Sequence, residues 1–300
     1  MACYQPLCGY RTPGGSVTFD RSAGYSDVRV TVSCGQCCGC RLERSRQWAV
    51  RCMHEAQMHE ENCFITLTYD DEHMPPAGSL DLVDWQNFAK RLRRKLGPFR
   101  FYHCGEYGDL TGRPHYHAAV FGQDFSGDRR PFREIRGNQT WISKQLVELW
   151  GKGENCVIGE LTFQSAAYVA RYIMKKMTGE RALEHYGTEA IDFATGEVIR
   201  LKPEYTTMSR RPGIGKAWYD KFKGDVYPDD FVITNKGQKA RPPAYYDYQF
   251  ELEDPAALAA LKAKRVAKGR RHRNNNTPDR LAVREICQMA KTRTLRRDTI

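Results

Sequence analysis

Glu106-Tyr107-Gly108-Asp109-Leu110-Thr111-Gly112-Arg113-Pro114-His115-Tyr116-His117-Ala118-Ala119-Val120-Phe121 is the stretch on which the reading of this chain turns. Gly108, Asp109, Gly112 and Pro114 mark a turn-rich connector, so residues 99–106 and 115–121 read as two strands joined by it. Side chains leave a strand alternately from its two faces, and His115 and His117 therefore share one face. Two imidazoles on one face are half of a divalent-metal site, and a short hairpin would set the Glu106 carboxylate beside them. Pro114 stiffens the entry to the second strand by fixing its own backbone torsion, and Ala118-Ala119-Val120-Phe121 holds that strand in a core. Two nitrogens and one oxygen, with positions left open, suit Mg2+ or Mn2+ when a substrate phosphate supplies further oxygens; zinc binds such a set as well. A metal held there would polarise and orient a phosphate.

Working outward, Cys63-Phe64-Ile65-Thr66-Leu67-Thr68-Tyr69 reads as a strand, rich in β-branched and aromatic residues and stopped by Asp70-Asp71. Residues 41–60 carry an amphipathic helical pattern in Leu42, Trp48, Val50, Cys52, Met53 and Ala56. A second helix begins near Asp81, buries Leu82, Trp85, Phe88, Ala89 and Leu92, and ends at Gly97-Pro98. Beyond the hairpin, the pattern predicts a loop over 122–138, a helix over 141–150, a strand over 157–163 and a helix to about 177 with Ser165 as its cap. The class is α+β: an antiparallel β-sheet with flanking helices, expected to pack on one side. The organisation reads as a Cys-rich region with a helix (1–62), a core (63–180), an accessory region with weak signals (181–250) and a basic helical or disordered tail (251–300).

Tyr168-Val169-Ala170-Arg171-Tyr172-Ile173-Met174-Lys175-Lys176 sets two phenols four apart, on one face of a helix. Aromatics at this spacing are often simply core. Here Lys175 and Lys176 follow within a turn of Tyr172, where an ammonium would lower a phenol's pKa or steady phosphate charge. Attack of tyrosine on phosphorus conserves the bond energy in a covalent link, and a second tyrosine permits a second attack. Tyr172, nearest the lysines, is the first choice of nucleophile and Tyr168 its partner.

The formal net charge of +11 over 300 residues favours a polyanionic partner over general solubility alone. No apolar run approaches the ~18 residues of a membrane span, and the start Met1-Ala2-Cys3-Tyr4-Gln5-Pro6 lacks a signal pattern, so an intracellular protein without a membrane role is expected. Arg113, Arg171, Arg270, Arg271 and Arg273 are candidate DNA contacts, although the basic tail reads equally as a solvated segment. Eleven cysteines without a secretory signal point away from a disulfide framework. Cys34, Cys37 and Cys40, with Cys38 inserted, have the spacing of three ligands of a structural Zn2+. Cys3, Cys8, Cys52 or His54 would be the fourth. An iron–sulfur cluster or plain buried thiols fit the same residues.

With these motifs in order, residues 63–177 resemble the HUH endonucleases, an RRM/ferredoxin-like fold named for His-hydrophobe-His, here with Tyr116 in the middle. Phe64-Ile65-Thr66-Leu67-Thr68 is similar to the first motif, Glu106 with His115 and His117 to the second, and Tyr168, Tyr172 and the lysines to the third. Cys34-Gly35-Gln36-Cys37-Cys38-Gly39-Cys40-Arg41 with Arg44-Ser45-Arg46-Gln47-Trp48-Ala49 is similar to the gokushovirus branch of the microvirus rolling-circle initiators. The resemblance implies a nick in the origin strand, a 5′-phosphotyrosine, a 3′-OH that primes synthesis, and later rejoining of the displaced strand. It further implies single-stranded DNA and origin DNA as partners, with host helicase and polymerase, in the cytoplasm of a bacterial host. A transposase or relaxase of the same superfamily is the near alternative. A non-catalytic, zinc-stabilised nucleic-acid-binding protein is the alternative from another class.

Overall fold

Residues 3–108, 111–135, 137–175, 186–187, 189–191, 196–234 and 237–293 are described by the computed structural model. The chain opens with β1 Leu7–Arg11, β2 Val17–Thr18 and β3 Arg29–Val32, followed by helix α1 Cys38–Ala56 and strand β4 Asn62–Thr68. Next come α2 Leu82–Leu96, β5 Arg100–Tyr107, β6 Pro114–Phe121, β7 Arg130–Ile135, β8 Asn138–Ile142, α3 Lys144–Trp150, β9 Val157–Gly159 and α4 Phe163–Lys175. Short strands β10 Glu189–Ile191, β11 Val198–Arg200 and β12 Tyr205–Met208 precede α5 Lys216–Val226. The described elements end with β13 Val232–Ile233, β14 Lys239–Ala240, α6 Ala244–Glu253, α7 Pro255–Arg270 and α8 Pro278–Arg293. Residues 45–249 form the larger of two units, and residues 1–44 with 250–298 form the smaller.

Seven antiparallel strands make the sheet of the larger unit, in the order β12-β5-β6-β4-β9-β8-β7. On β4, Cys63, Ile65 and Leu67 belong to a core with Trp85, Phe88 and Leu92 of α2 and Leu146 and Trp150 of α3. Phe64 joins a second core with Ala49 and Cys52 of α1 and Ala166, Val169 and Ala170 of α4. Strand β6 alternates in the same way: Tyr116, Ala118 and Val120 enter the first core, Ala119 and Phe121 the second. Helices thus cover both faces, correcting the expectation of one. The reason is visible in Ala118-Ala119-Val120-Phe121, because a strand buried on both sides is continuously apolar, whereas a half-wet one alternates. Each fully buried large apolar side chain in these cores contributes about 1.5–3 kcal/mol.

Local signals explain where the helices begin and end. Asp81 caps α2 through the amide of Val83, and Gly97, at φ 92°, ends it. Three expectations need correction. Residues 122–138 are not one loop, since β7 lies within them, and Trp141 and Ile142 belong to β8 rather than to a helix. Thr140-Trp141-Ile142 is a β-prone triplet, and the Ser143 hydroxyl, accepting from Leu146 N at 3.0 Å, starts α3 only after it. The cap of α4 is Thr162, whose Oγ1 accepts from Ser165 N at 3.1 Å while Ser165 Oγ accepts from Thr162 N at 2.8 Å. Ser165 is the reciprocal member of that pair, and the preceding strand stops at Gly159. The basic C-terminal segment is helical in α7 and again in α8, with a 3-10 turn at Arg273–Asn275 between them. No described helix is long and apolar enough to cross a membrane.

Candidate metal centre and tyrosine helix

Strand register assembles the site. Between β5 and β6, Glu106 lies opposite His115 and Cys104 opposite His117, and between β4 and β6, Thr66 lies opposite His117. The connector is held by Gly108 N donating to the Arg113 carbonyl at 3.0 Å and Gly112 N donating to the Gly108 carbonyl at 2.9 Å. Gly112 sits at φ +64°, where a residue with a Cβ would be strained. Alternation sends Tyr116 to the other face. There its hydroxyl donates to the Asp81 carbonyl at 2.7 Å and lies 2.8 Å from Tyr69 Oη, which donates to Asp84 at 2.7 Å. The middle residue of the His-x-His run thereby ties β6 to the start of α2.

Glu106 Oε1 lies 2.7 Å from His115 Nε2 and 2.9 Å from His117 Nε2. One ligand atom from each of the three residues falls within 4.8 Å of the others. The Glu106 and His117 side chains are buried, at 1% and 3% exposure, while His115 reaches solvent at 18%. His115 Nδ1 is 3.0 Å from the Arg113 carbonyl, which can only accept, so Nδ1 carries a proton and leaves Nε2 as the metal-facing nitrogen. His117 Nδ1 is 2.9 Å from Thr66 Oγ1, an arrangement that orients its Nε2 in the same direction. Burial pushes the Glu106 carboxyl up, but hydrogen bonds and charge from His115 and His117 outweigh it and hold the group below its ordinary value. The result is an ionised oxygen and two imidazole nitrogens converging on one point, a donor set that fits a divalent cation.

Helix α4 brings a phenol to this point. Tyr168 Oη donates to Glu106 Oε1 at 3.4 Å, and its ring meets His117 edge-on with centroids 5.1 Å apart. The helix is held against the sheet by Ala166, Val169 and Ala170, and Ser45 Oγ of α1 donates to the Ala167 carbonyl at 2.9 Å. Tyr172 and Lys175 follow on α4 one and two turns beyond Tyr168, and Arg171 also lies on it; only their backbone is described. Lys176 lies outside the described residues. Arg113 pairs with Asp71 at 2.7 Å and donates to the Tyr69 carbonyl at 3.1 Å, bracing the mouth of the hairpin. Arg270, Arg271 and Arg273 are exposed in the smaller unit. Cys34, Cys37 and Cys40 gather there with Cys3, one of four residues considered as their partner. Thr66 was legible as strand but not as a partner of His117; only the β4–β6 register supplies that signal.

The family model for the replication-associated protein ORF2 matches residues 62–177. Replication-associated protein VP4 of Bdellovibrio phage phiMH2K is 31% identical over 283 residues, covering 89% of this chain and 84% of that protein. Replication-associated protein ORF2 of Spiroplasma virus 4 is 32% identical over 293 residues, covering 88% and 86%. The chain belongs to the family of phage replication-associated proteins. A third member, replication-associated protein ORF4 of Chlamydia phage 1, is 36% identical over 171 residues, covering 53% of this chain and 42% of its own length. No solved structure matches the chain. The segment matched by the family contains Glu106, His115, His117, Tyr168 and Tyr172.

Proposed function

We propose that this chain acts in phage DNA replication as a metal-dependent single-strand endonuclease and strand transferase that starts rolling-circle synthesis at the origin. The observation that carries this reading is the convergence of Glu106, His115 and His117 beside the Tyr168 hydroxyl. Glu106, His115 and His117 would hold Mg2+ or Mn2+, and that ion would supply Lewis-acid polarisation of the scissile phosphate. The buried carboxylate and the two oriented imidazoles need little reorganisation to do so. Tyr168 and Tyr172 serve as nucleophiles, with Lys175 and Lys176 steadying phosphate charge. In the cleavage step the phenolic oxygen bonds to phosphorus and the bond from phosphorus to the 3′ oxygen breaks. The phenolic proton ends on that oxygen, leaving a 5′-phosphotyrosine and a 3′-hydroxyl. In the joining step a 3′-hydroxyl attacks the phosphotyrosine and returns the proton to tyrosine, closing the displaced strand. Single-stranded origin DNA is the substrate, and host helicase and polymerase are the expected partners in the bacterial cytoplasm.

The test is a labelled origin oligonucleotide incubated with the full chain and Mn2+. A covalent adduct is expected with the wild type and not with the Tyr168→Phe/Tyr172→Phe double variant. His115→Ala/His117→Ala should abolish cleavage while leaving DNA binding largely intact, because phosphate contacts supply much of the affinity. Binding with no cleavage in any divalent metal would overturn the proposal in favour of a non-catalytic binding protein.

A further inference from the structure

The smaller unit has little with which to hold itself together. Its buried apolar side chains, among the described residues, are Tyr4, Cys37, Leu258 and Leu281. Three of these, Tyr4, Cys37 and Leu281, form one cluster, against which Cys3, Cys34, Cys38 and Cys40 pack. So small a core is normally supplemented by disulfides or a metal, and these cysteines are free thiols.

The four sulfurs are arranged as a coordination shell. Sγ of Cys3, Cys34, Cys37 and Cys40 all lie within 4.8 Å of one another. Cys3 to Cys34 is 3.6 Å, Cys3 to Cys37 is 3.9 Å and Cys34 to Cys40 is 4.0 Å. A tetrahedron of sulfurs around zinc, with bonds of about 2.3 Å, has edges of about 3.8 Å. Backbone amides aim at the same sulfurs: Tyr4 N donates to Cys37, Cys34 N to Cys3 and Cys37 N to Cys34, each at 3.3 Å. Gln36 N adds a fourth at 3.4 Å to Cys34. Such N–H groups offset thiolate charge in a site with no basic side chain among its ligands. Gly35, at φ +74°, makes the tight turn between Cys34 and Cys37 that lets both sulfurs face inward.

The other cysteines and the histidine drop out of the ligand set. Cys38 neighbours Cys37 in sequence but is not in the group. Cys8 is exposed on β1, Cys52 is packed in the core with Phe64, and His54 Nδ1 is 2.9 Å from Tyr246 Oη. The ligand pattern is therefore one cysteine near the start of the chain, then three at a spacing of three across a turn and the first turn of α1. Helix α8 rests on this loop: Leu281 packs on Tyr4 and Cys37, and Gln5 Nε2 donates to Glu285 at 2.9 Å.

We propose that Cys3, Cys34, Cys37 and Cys40 bind one Zn2+ as a structural tetrathiolate, and that the ion closes the β1–β3 segment into the seat on which α8 docks. The site is independent of the Glu106-His115-His117 centre, and its test does not use nicking. Full-length protein purified under reducing conditions without added metal is expected to carry one zinc per chain by elemental analysis. The Glu106→Ala/His115→Ala/His117→Ala variant and Cys38→Ser should each keep that zinc, whereas Cys3→Ser and Cys37→Ser should each lose it. Cobalt exchanged into the wild type should give the intense charge-transfer and ligand-field absorption of a four-sulfur tetrahedral site, a readout that does not depend on any variant folding. Removing the ion with a chelator should speed hydrogen exchange in α8 while leaving β4–β6 protected. A metal-free wild type, iron in place of zinc, disulfides among these cysteines by intact mass, or loss of zinc on Cys38→Ser but not on Cys3→Ser would each overturn the proposal.

Discussion

Replacing Thr66 by valine tests whether the hairpin histidines are oriented as metal ligands. Valine keeps the branched shape and suits a strand at least as well as threonine, so β4 should persist and only the hydroxyl is lost. That hydroxyl is 2.9 Å from His117 Nδ1, and the imidazole is 3% exposed, so water cannot readily replace it. Without the acceptor, His117 can carry its proton on Nε2, the nitrogen 2.9 Å from Glu106, which then no longer offers a lone pair. Partners of this kind are worth roughly 10–100-fold in metal affinity, or about 1.4–2.8 kcal/mol. Calorimetric titration of the full chain with Mn2+ should show that loss for Thr66→Val and near-normal affinity for Thr66→Ser. The nicking defect of the valine variant should shrink as Mn2+ is raised, since the tyrosines are untouched. A folded Thr66→Val protein that binds Mn2+ as tightly as wild type would refute the reasoning.

Two further outcomes are expected. Glu55 is 2% exposed, pairs with Arg100 and accepts from Gly215 N at 2.6 Å; burial raises its pKa, but His59, Gly215 and Arg100 together hold it below the ordinary value. A depressed carboxyl contributes stability above its unfolded pKa that is lost as pH falls through the folded one, so wild type should lose stability on acidification more steeply than Glu55→Gln. Parallel denaturation curves would count against this. Changing Arg270, Arg271 and Arg273 together to glutamine should weaken single-stranded DNA binding and flatten the salt dependence by about 2 in log–log slope, at ~0.7 per phosphate contact. An unchanged slope would remove that exposed trio from the DNA interface.

Much of the candidate site was legible because it is local. His115 and His117 share a face by strand periodicity alone, and the turn residues between Glu106 and His115 made the hairpin readable. Tyr168 and Tyr172 were placed on one helix by their spacing. What escaped the reading depends on partners distant in sequence. The pairing of Thr66 with His117 requires the β4–β6 register, fifty-one residues apart. The choice of Cys3 over Cys8, Cys52 and His54 requires the loop from Cys3 to Cys34 to close. The edge strand Tyr205–Met208 pairs with β5 from a region with no clear pattern of its own, because four residues supply too little periodicity to read.

The sequence by itself determined the alternation that aims two histidines together, the turn that returns the chain to them, and the charge that favours a polyanion. Covering both faces of the sheet, choosing the register that brings Glu106 to both imidazoles, and carrying Tyr168 to the same carboxylate were decided only by the tertiary structure. Backbone geometry sets which way a side chain points from its own neighbours alone, whereas which groups it meets depends on long-range packing that no local pattern encodes.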